Sequence, residues 1–310
     1  MTDQSWPRAL HEVRGPIPRE RIDGAAQGMG SWGEETRALV AQGLVQPDMM
    51  TGLTLFLLSG QPKNPNRKQK IPGGGGGVAG GVWVREQFTI HRPLGVQDPF
   101  VCTGESLGRY VAKGRRYGIN RCETRSADGD LVASNLTTGL LAYKVDEALS
   151  EVAEGLGVDD VEAPQIDRAA AGQNPCMAAL EALSPGEVLG GDAVTVSLEM
   201  MAARDTDKPS NPIHSDPELA KKAGLKKPIA GGSHVLAFAL EPILAVAGRD
   251  ALLHGACFDV RWKAPVFAGT TIYPLARVRD RDEDKLTIDL EAKLDGDVTA
   301  MVGEVVVPLA

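Results

Sequence analysis

The sequence predicts an α+β protein of two similar halves, each a long buried helix wrapped by a curved antiparallel sheet. Three observations support this fold class. The same order of apolar run, strand and hairpin occurs twice along the 310 residues. The apolar run of the second half is apolar almost all round, as a fully buried helix must be, and the run of the first half is a plausible buried helix. Each half also contains an Asp-Gly-Asp turn between alternating stretches, which is a strong hairpin signal.

The second half shows the series most clearly. Residues 234–248 leave almost no polar stripe and predict a buried helix, which Pro242 should kink or divide. Strands are predicted at 258–269 and 271–280. A hairpin follows, in which Asp295-Gly296 joins LTIDLEAK to VTAMVGEVVVPL. One helix and several antiparallel strands therefore belong together in this half.

The first half repeats this order. A buried helix is predicted at 48–59, a strand at 84–95, and a hairpin around Asp128-Gly129-Asp130. The Asp-Gly-Asp step recurs at an offset of 167 residues, and Phe88-Thr89-Ile90 resembles Phe258-Asp259-Val260. We infer a tandem duplication. It predicts a non-catalytic first half over 1–150, a linker over 151–180 and a second half over 181–310.

Composition narrows the class of protein. Hydrophobic residues make up 43% of the chain and the net charge is −8, which argues against a nucleic-acid partner. The N-terminus lacks an apolar signal segment, and no stretch approaches the ~20 apolar residues that span a bilayer, so we expect a cytoplasmic protein without a membrane partner. Four dispersed cysteines indicate neither a zinc site nor a disulfide framework. They are Cys102, Cys122, Cys176 and Cys257.

The segment 200–235 carries the strongest motif. It contains Asn211-Pro212-Ile213-His214, followed by Asp216, Ala220, Gly224, Pro228-Ile229-Ala230 and Gly232. This pattern resembles the signature of MaoC-like (R)-specific enoyl-thioester hydratases, approximately G-D-x-N-P-[ILV]-H-x-D-x-x-x-A-x-x-x-G-[FL]-x-x-P-I-[AL]-x-G. The resemblance implies a double hotdog fold with the catalytic motif in one half only. It also implies a lyase that interconverts 2-enoyl and 3-hydroxyacyl thioesters.

Water addition to an enoyl thioester needs a base for the water and a proton donor for the α-carbon. A neighbouring carboxylate and imidazole can supply both, and histidine changes protonation close to neutral pH. His214 is therefore the predicted catalytic histidine. Glu86 and His91 in the first half also have acid–histidine spacing, but they lack the motif and are interpreted as structural.

The acid departs from the family pattern. The pattern places it five positions before the histidine, where this sequence has Pro209, which cannot ionise. Asp207 is the predicted acid if inserted residues bulge outward, and Asp205 is the second choice. A third alternative is that neither touches substrate, in which case the chemistry differs from that of the family.

Other motif residues receive supporting roles. Gly231 and Gly232 precede the buried helix, where free backbone N–H groups suit an oxyanion, so they are predicted to bind the thioester carbonyl. Asn211 is expected to shape the substrate loop, and Asp216 to cap a helix that begins at Pro217. A cluster of lysines near the motif is either a solvated face or a phosphate contact. It comprises Lys221, Lys222, Lys226 and Lys227.

Several alternatives stay open. The same fold could carry a thioesterase or a biosynthetic cyclase, or the chain could be a non-catalytic partner subunit. No metal or redox cofactor is implied, and the expected partner is an acyl-CoA or acyl-carrier-protein thioester. The assembly is either a monomer of two hotdogs or a homodimer. The glycine-rich segment 60–81 is expected to be a surface loop, with a contact from its cations to a cofactor phosphate as the alternative.

Overall fold

The computed structural model describes residues 6–51, 82–142, 151–152, 162–165, 173–204 and 212–309. Its helices are α1 Arg19–Gln27, α2 Glu34–Ala41, α3 Met177–Ala182, α4 Leu198–Arg204, α5 Pro217–Lys222 and α6 Gly232–Ala247. Its strands are β1 Arg8–Ala9, β2 Val13–Arg14, β3 Val82–Ile90, β4 Phe100–Ala112, β5 Arg115–Ser126, β6 Leu131–Ala142, β7 Glu151–Val152, β8 Val188–Gly190, β9 Val194–Val196, β10 Ala256–Trp262, β11 Thr270–Arg281, β12 Lys285–Leu294 and β13 Val298–Pro308.

The strands form one antiparallel sheet with the main order β1-β4-β5-β6-β3-β10-β13-β12-β11-β8. The order β4-β5-β6-β3 in the first half is mirrored by β11-β12-β13-β10 in the second, so the duplication predicted from sequence is visible in the topology. The halves join where β3 pairs with β10. At this seam Phe88 lies opposite Phe258, and their rings stack with centroids 4.2 Å apart. The two phenylalanines that correspond to each other in the two halves are therefore partners in space.

The two hairpin turns lie where the sequence predicted them. Gly129 connects β5 to β6 with a φ of 88°, and Gly296 connects β12 to β13 with a φ of 75°. Both values fall in the left-handed region, which glycine adopts without the steric cost of a Cβ. The repeated Asp-Gly-Asp step thus fixes equivalent turns in the two halves.

Other element boundaries differ from the predictions. The strand predicted at 84–95 runs from Val82 to Ile90, and the one predicted at 258–269 ends at Trp262. Each of these strands ends shortly before a proline, Pro93 or Pro265, which has no N–H group to donate to a neighbouring strand. The predicted helix at 48–59 begins at residue 47 and is described as far as residue 51. The rest of it lies outside the described residues.

Helix α6 forms the centre of the core. Twelve of its sixteen residues are buried, and the core of both sheet halves continues around it. Of the two effects predicted for Pro242, division of the helix is wrong, because α6 runs unbroken through it, and a kink stays a prediction. No helix in the described ranges is long and apolar enough to span a membrane.

The N-terminal segment explains how the helix accommodates its proline. Pro242 has no N–H to donate to the carbonyl of Phe238, four residues earlier. The indole Nε1 of Trp32 donates to this carbonyl instead, at 3.2 Å. Trp32 ends a 3₁₀ turn between α1 and α2 and packs over Gly191, where a Cβ would come within 1.8 Å of the ring.

A second contact fastens the same segment to α6. The carboxylate of Glu241 accepts hydrogen bonds from the backbone N–H of Glu35 at 2.6 Å and from the Thr36 hydroxyl at 2.6 Å. A side chain of α6 thus accepts a hydrogen bond from a backbone N–H group at the N-terminus of α2, where such groups have no partner within the helix. Burial raises the pKa of Glu241, and the hydrogen bonds from Thr36 and Glu35 oppose that shift.

Within the predicted linker, the described residues 162–165 cross the outer face of the sheet. The hydroxyl of Thr89 donates to the carbonyl of Pro164 at 3.1 Å. Thr89 points away from its neighbour Phe88, which faces the core, because successive strand residues alternate in direction. The described residues 162–165 therefore contact the side of the sheet opposite α6.

We expect Trp32→Phe to lower the free energy of unfolding by about 1–3 kcal/mol, because the buried Phe238 carbonyl loses its donor. Denaturant unfolding measures this loss. The same substitution is repeated in a Pro242→Ala background, where the restored N–H can bond to Phe238, and there the loss should be smaller. Equal losses in both backgrounds would mean that Trp32 contributes packing alone.

Candidate active site

His214 is held in a defined orientation by the segment that precedes α6. It ends the 3₁₀ turn Pro212–His214 and is half-buried. Its Nδ1 lies 2.7 Å from the carbonyl oxygen of Ile229. A carbonyl can only accept, so Nδ1 carries the proton and donates it. In the neutral ring, Nε2 is then the nitrogen that can take a proton, which is the tautomer a general base requires.

The segment that orients His214 is itself fixed on both sides. The N–H of Ile229 donates to the carbonyl of Ile213 at 3.2 Å, and the N–H of Ala230 donates to Val266 at 2.8 Å. A small apolar cluster underlies these bonds. It contains Ile213, Ala223 and Ile229, with Leu225 and Phe267 packed against it. The motif residues between His214 and α6 therefore form a rigid support rather than an open loop.

The N-terminus of α6 supplies backbone donors close to this support. Gly231 is the N-cap, and its carbonyl accepts from the N–H groups of His234 at 3.0 Å and Val235 at 3.2 Å. The N–H groups of Gly232 and Ser233 precede the first intrahelical bonds and carry the partial positive charge of the helix end. A developing oxyanion is stabilised by such a position.

The two glycines differ in their surroundings. A Cβ on Gly232 would lie 2.9 Å from the ring of Trp262, whose Nε1 donates to the Gly232 carbonyl at 3.0 Å. Around Gly231, no heavy atom of the described residues beyond its chain neighbours lies within 4 Å of an added Cβ. Gly232 is therefore required for packing, whereas Gly231 borders open space.

His214 and the start of α6 lie in one small region. His214 is bonded to Ile229, and the three residues from there to Gly232 span at most about 11 Å even when extended. The positive form of His214 also contributes to lowering the pKa of His234, the third residue of α6. The imidazole and the amides that open α6 therefore lie in the same region of the fold.

His234 does not share the acid–base role. It is buried, and its Nε2 donates to the carbonyl of Gly28 at 2.8 Å. Burial, followed by the nearby charge of Arg204, lowers its pKa to about 3. The ring stays neutral near pH 7, so His234 is a packed core residue.

The remaining predicted residues divide into two groups. Asp205, Asp207 and Asn211 lie outside the described residues, as does the segment 60–81. Asp216 is the N-cap of α5, because its Oδ1 accepts from the N–H groups of Glu218 at 2.8 Å and Leu219 at 3.0 Å. The four lysines near the motif are all exposed, namely Lys221, Lys222, Lys226 and Lys227.

Glu86 and His91 are held separately in the first half. Glu86 is buried, and its Oε1 accepts from the Asn135 amide at 3.0 Å. His91 is also buried, and its Nε2 lies 3.0 Å from the Ser134 hydroxyl. Both partners belong to β6 and hold these side chains within the sheet, in agreement with the structural interpretation.

Sequence reasoning missed three groups around the site. They are the Ile229 carbonyl that orients His214, the Trp262 ring that covers Gly232, and the first-half residues that contact Arg204 and His234. The first lies inside the motif and could have been suspected from Pro228-Ile229-Ala230. The others depend on contacts between distant parts of the chain, which no local pattern indicates.

Comparisons with solved structures agree with this architecture. A MaoC-like dehydratase superposes with a TM-score of 0.67 at 19% identity, covering 97% of this chain and 98% of that one. Peroxisomal multifunctional enzyme type 2 from Drosophila melanogaster superposes with a TM-score of 0.64 at 17% identity, covering 97% of this chain and 48% of that one. A Mycobacterium tuberculosis protein described as having a double hotdog fold superposes with a TM-score of 0.59 at 15% identity, covering 99% of this chain and 97% of that one.

At these identities the structural likeness establishes the fold alone. A comparison with curated proteins found no match. The family model described as MaoC like domain matches residues 186–298, which include His214, Gly231 and Gly232. The chain therefore has the double hotdog fold, and its residues 186–298 match the model of the MaoC like domain.

Proposed function

We propose that this protein interconverts a 2-enoyl thioester and a 3-hydroxyacyl thioester by adding or removing water. The observation that carries the proposal is the hydrogen bond from His214 Nδ1 to the Ile229 carbonyl, at 2.7 Å. It leaves Nε2 as the proton-accepting nitrogen, a few residues from the amides that open α6. The match of residues 186–298 to the MaoC-like family supports the same reaction class.

In the hydration direction, His214 and a carboxylate hold one water molecule beside the double bond. One of them takes a proton from the water as its oxygen bonds to the β-carbon, and the π electrons move onto the thioester oxygen. The N–H of Gly232 stabilises the enolate oxygen, and Gly231 lets the thioester approach closely. The pair then delivers a proton to the α-carbon. Dehydration follows the same steps in reverse.

The carboxylate is Asp207, with Asp205 as the second choice, and Asn211 shapes the loop that holds the substrate. Both acids precede His214 by fewer than ten residues in the sequence. The reaction consumes only water, and the proposal assigns no metal or redox cofactor to it. Acid–base chemistry and carbonyl polarisation account for every proton and electron pair.

The substrate class is a thioester of coenzyme A or of a carrier protein. Both carry a phosphate on the pantetheine arm, and the four exposed lysines beside the motif would attract it. The lysines follow His214 in the sequence, on α5 and just after it. An attraction of exposed charges to phosphate weakens as salt is added.

We expect His214→Ala to lower kcat/KM with crotonyl-CoA by about 10²–10⁴-fold, because general acid–base catalysis is lost. Loss of enoyl absorbance measures the reaction. His11, which is exposed, provides the matched control, and His11→Ala should act like wild type. Release of free thiol without water addition would indicate a thioesterase instead. A wild type with neither activity would contradict the hydratase proposal and favour a cyclase or a partner subunit.

The choice of acid is tested by comparing Asp207→Asn with Asp205→Asn under the same assay. We expect Asp207→Asn to cost at least about 10²-fold in kcat, since it removes one of the two acid–base groups, and Asp205→Asn to cost much less. The opposite ranking would transfer the role to Asp205. Equal, small effects would show that neither carboxylate takes part.

The two glycines should respond differently to alanine. Gly232→Ala forces a Cβ against the Trp262 ring, so we expect it to lower the free energy of unfolding by about 1–3 kcal/mol. Gly231→Ala meets open space and should leave stability within about 0.5 kcal/mol of wild type. It should nevertheless raise KM, because the new methyl group occupies space meant for the thioester. An unchanged KM would place the thioester elsewhere.

A further inference from the structure

The first half forms a buried anchor for the catalytic half. We define the anchor as Ala25, Gly28 and Asp48 of the first half together with Arg204 and His234 of the second. The Arg204 side chain is 10% exposed and that of Asp48 is 2% exposed. The guanidinium pairs with the Asp48 carboxylate through Nη2 and donates through Nη1 to the Ala25 carbonyl at 3.3 Å. A single arginine thus bridges the halves with two donors.

His234 makes the second contact of the anchor. It is the third residue of α6, and its Nε2 donates to the Gly28 carbonyl at 2.8 Å. Gly28 permits α1 to approach α4 closely, because a Cβ there would lie 2.8 Å from the Met200 carbonyl oxygen and 2.9 Å from the Arg204 Cβ. Neighbouring residues of one short first-half segment therefore hold both the end of α4 and the start of α6.

These two held ends flank the motif segment in the sequence. Arg204 is the last residue of α4, and the chain continues from it towards His214. His234 lies two residues after Gly232, whose N–H is the proposed carbonyl donor. The charges of Arg204 and His214 both contribute to lowering the pKa of His234, after its burial. The anchor is therefore close enough to the site for its geometry to matter there.

An ion pair this deeply buried is a poor means of gaining stability alone. Removing two charges from water costs free energy that their attraction repays only when the geometry is good, and apolar pairs of similar volume often stabilise as well. An arginine fork does fix relative orientation, because its donors are planar and rigid. Orientation is the property that a site assembled from two helix ends requires.

We propose that Asp48 and Arg204 are positioning residues for the reaction, acting through α4 and α6. Through them the first half, which lacks the hydratase motif, sets the relation between His214 and the amides that open α6. This inference rests on the proposed function for its kinetic test. It predicts that loss of the fork lowers kcat and leaves KM nearly unchanged.

The test compares Asp48→Asn, Arg204→Met and the double variant by steady-state kinetics and thermal unfolding. Each single variant leaves a buried group without its partner and should lower both the Tm and kcat. The double variant removes both charges, so its Tm should return towards wild type. Its kcat should stay about 30- to 100-fold low, with KM within about twofold, because the orientation is still lost. Recovery of kcat together with the Tm would overturn the proposal.

A second variant covers the outcome in which the double variant fails to fold. Arg204→Lys keeps a buried positive charge but cannot reach Asp48 and Ala25 with one rigid fork. We expect it to fold, with kcat about tenfold below wild type and KM unchanged, as orientation is partly lost. A wild-type kcat in Arg204→Lys would also overturn the proposal.

The matched control is another arginine–aspartate pair between the halves. Arg85 of β3 binds Asp259 of β10 with two hydrogen bonds, at 2.9 Å and 2.5 Å. Asp259 lies between the core residues Phe258 and Val260, so it points to the outer face of the sheet, away from α6. Arg85→Met with Asp259→Asn should leave kcat within about twofold of wild type, as expected for a substitution away from the site. If this control lost as much kcat as the anchor variants, the loss would come from weakening any contact between the halves and not from the anchor itself.

A measurement that does not depend on enzyme activity separates this inference from the proposed function. Nitrogen-15 labelling of histidine allows the hydrogen-bonded His214 Nδ1–H and His234 Nε2–H to be observed by NMR. Both signals should shift or broaden in the double anchor variant and remain unchanged in the control. A wild type inactive on enoyl thioesters would sink the proposed function only. Unchanged signals in the anchor variant would sink this inference, whatever the activity.

Discussion

A helix without a polar side has to be covered all round, and α6 is covered by parts of both halves. The second-half sheet curves around it, while Trp32, Thr36 and Gly28 of the N-terminal segment contact the side that the sheet leaves open. Polar atoms that α6 would otherwise bury without a partner receive one from this segment. The start of the helix, where the candidate site lies, is therefore fixed by residues from far away in the sequence.

The scaffold is duplicated, but the candidate site is described in one half. Strands β3 to β6 and β10 to β13 occupy mirrored places around the Phe88–Phe258 seam. Among the described residues, the second half carries a histidine bonded to the segment that leads into a glycine-opened helix, whereas the first-half acid and histidine are held by Asn135 and Ser134 of β6. Equivalent backbones thus hold different sets of side chains, which is the usual relation between fold and function.

Sequence patterns predicted whatever depends on local periodicity or on a short motif. The apolar run of α6, both Asp-Gly hairpins and the cap at Asp216 are examples. Strand β4 was not predicted, because its alternation is interrupted by Gly104 and Gly108 and by charged residues. Helices α1 and α2 were also missed, since both are short and gain their stability from packing on α4 and α6. The Phe238 carbonyl that loses its helical donor at Pro242 is bonded to Trp32, which lies 206 residues before Phe238 along the chain.

The seam between β3 and β10 has one more consequence. The two halves have the same strand order, but they belong to a single polypeptide and do not have to share one sequence. In a dimer of identical chains, a mutation that suits one side is copied onto the other. Here each half can change by itself, so a substitution that suits one half does not have to be tolerated in the other.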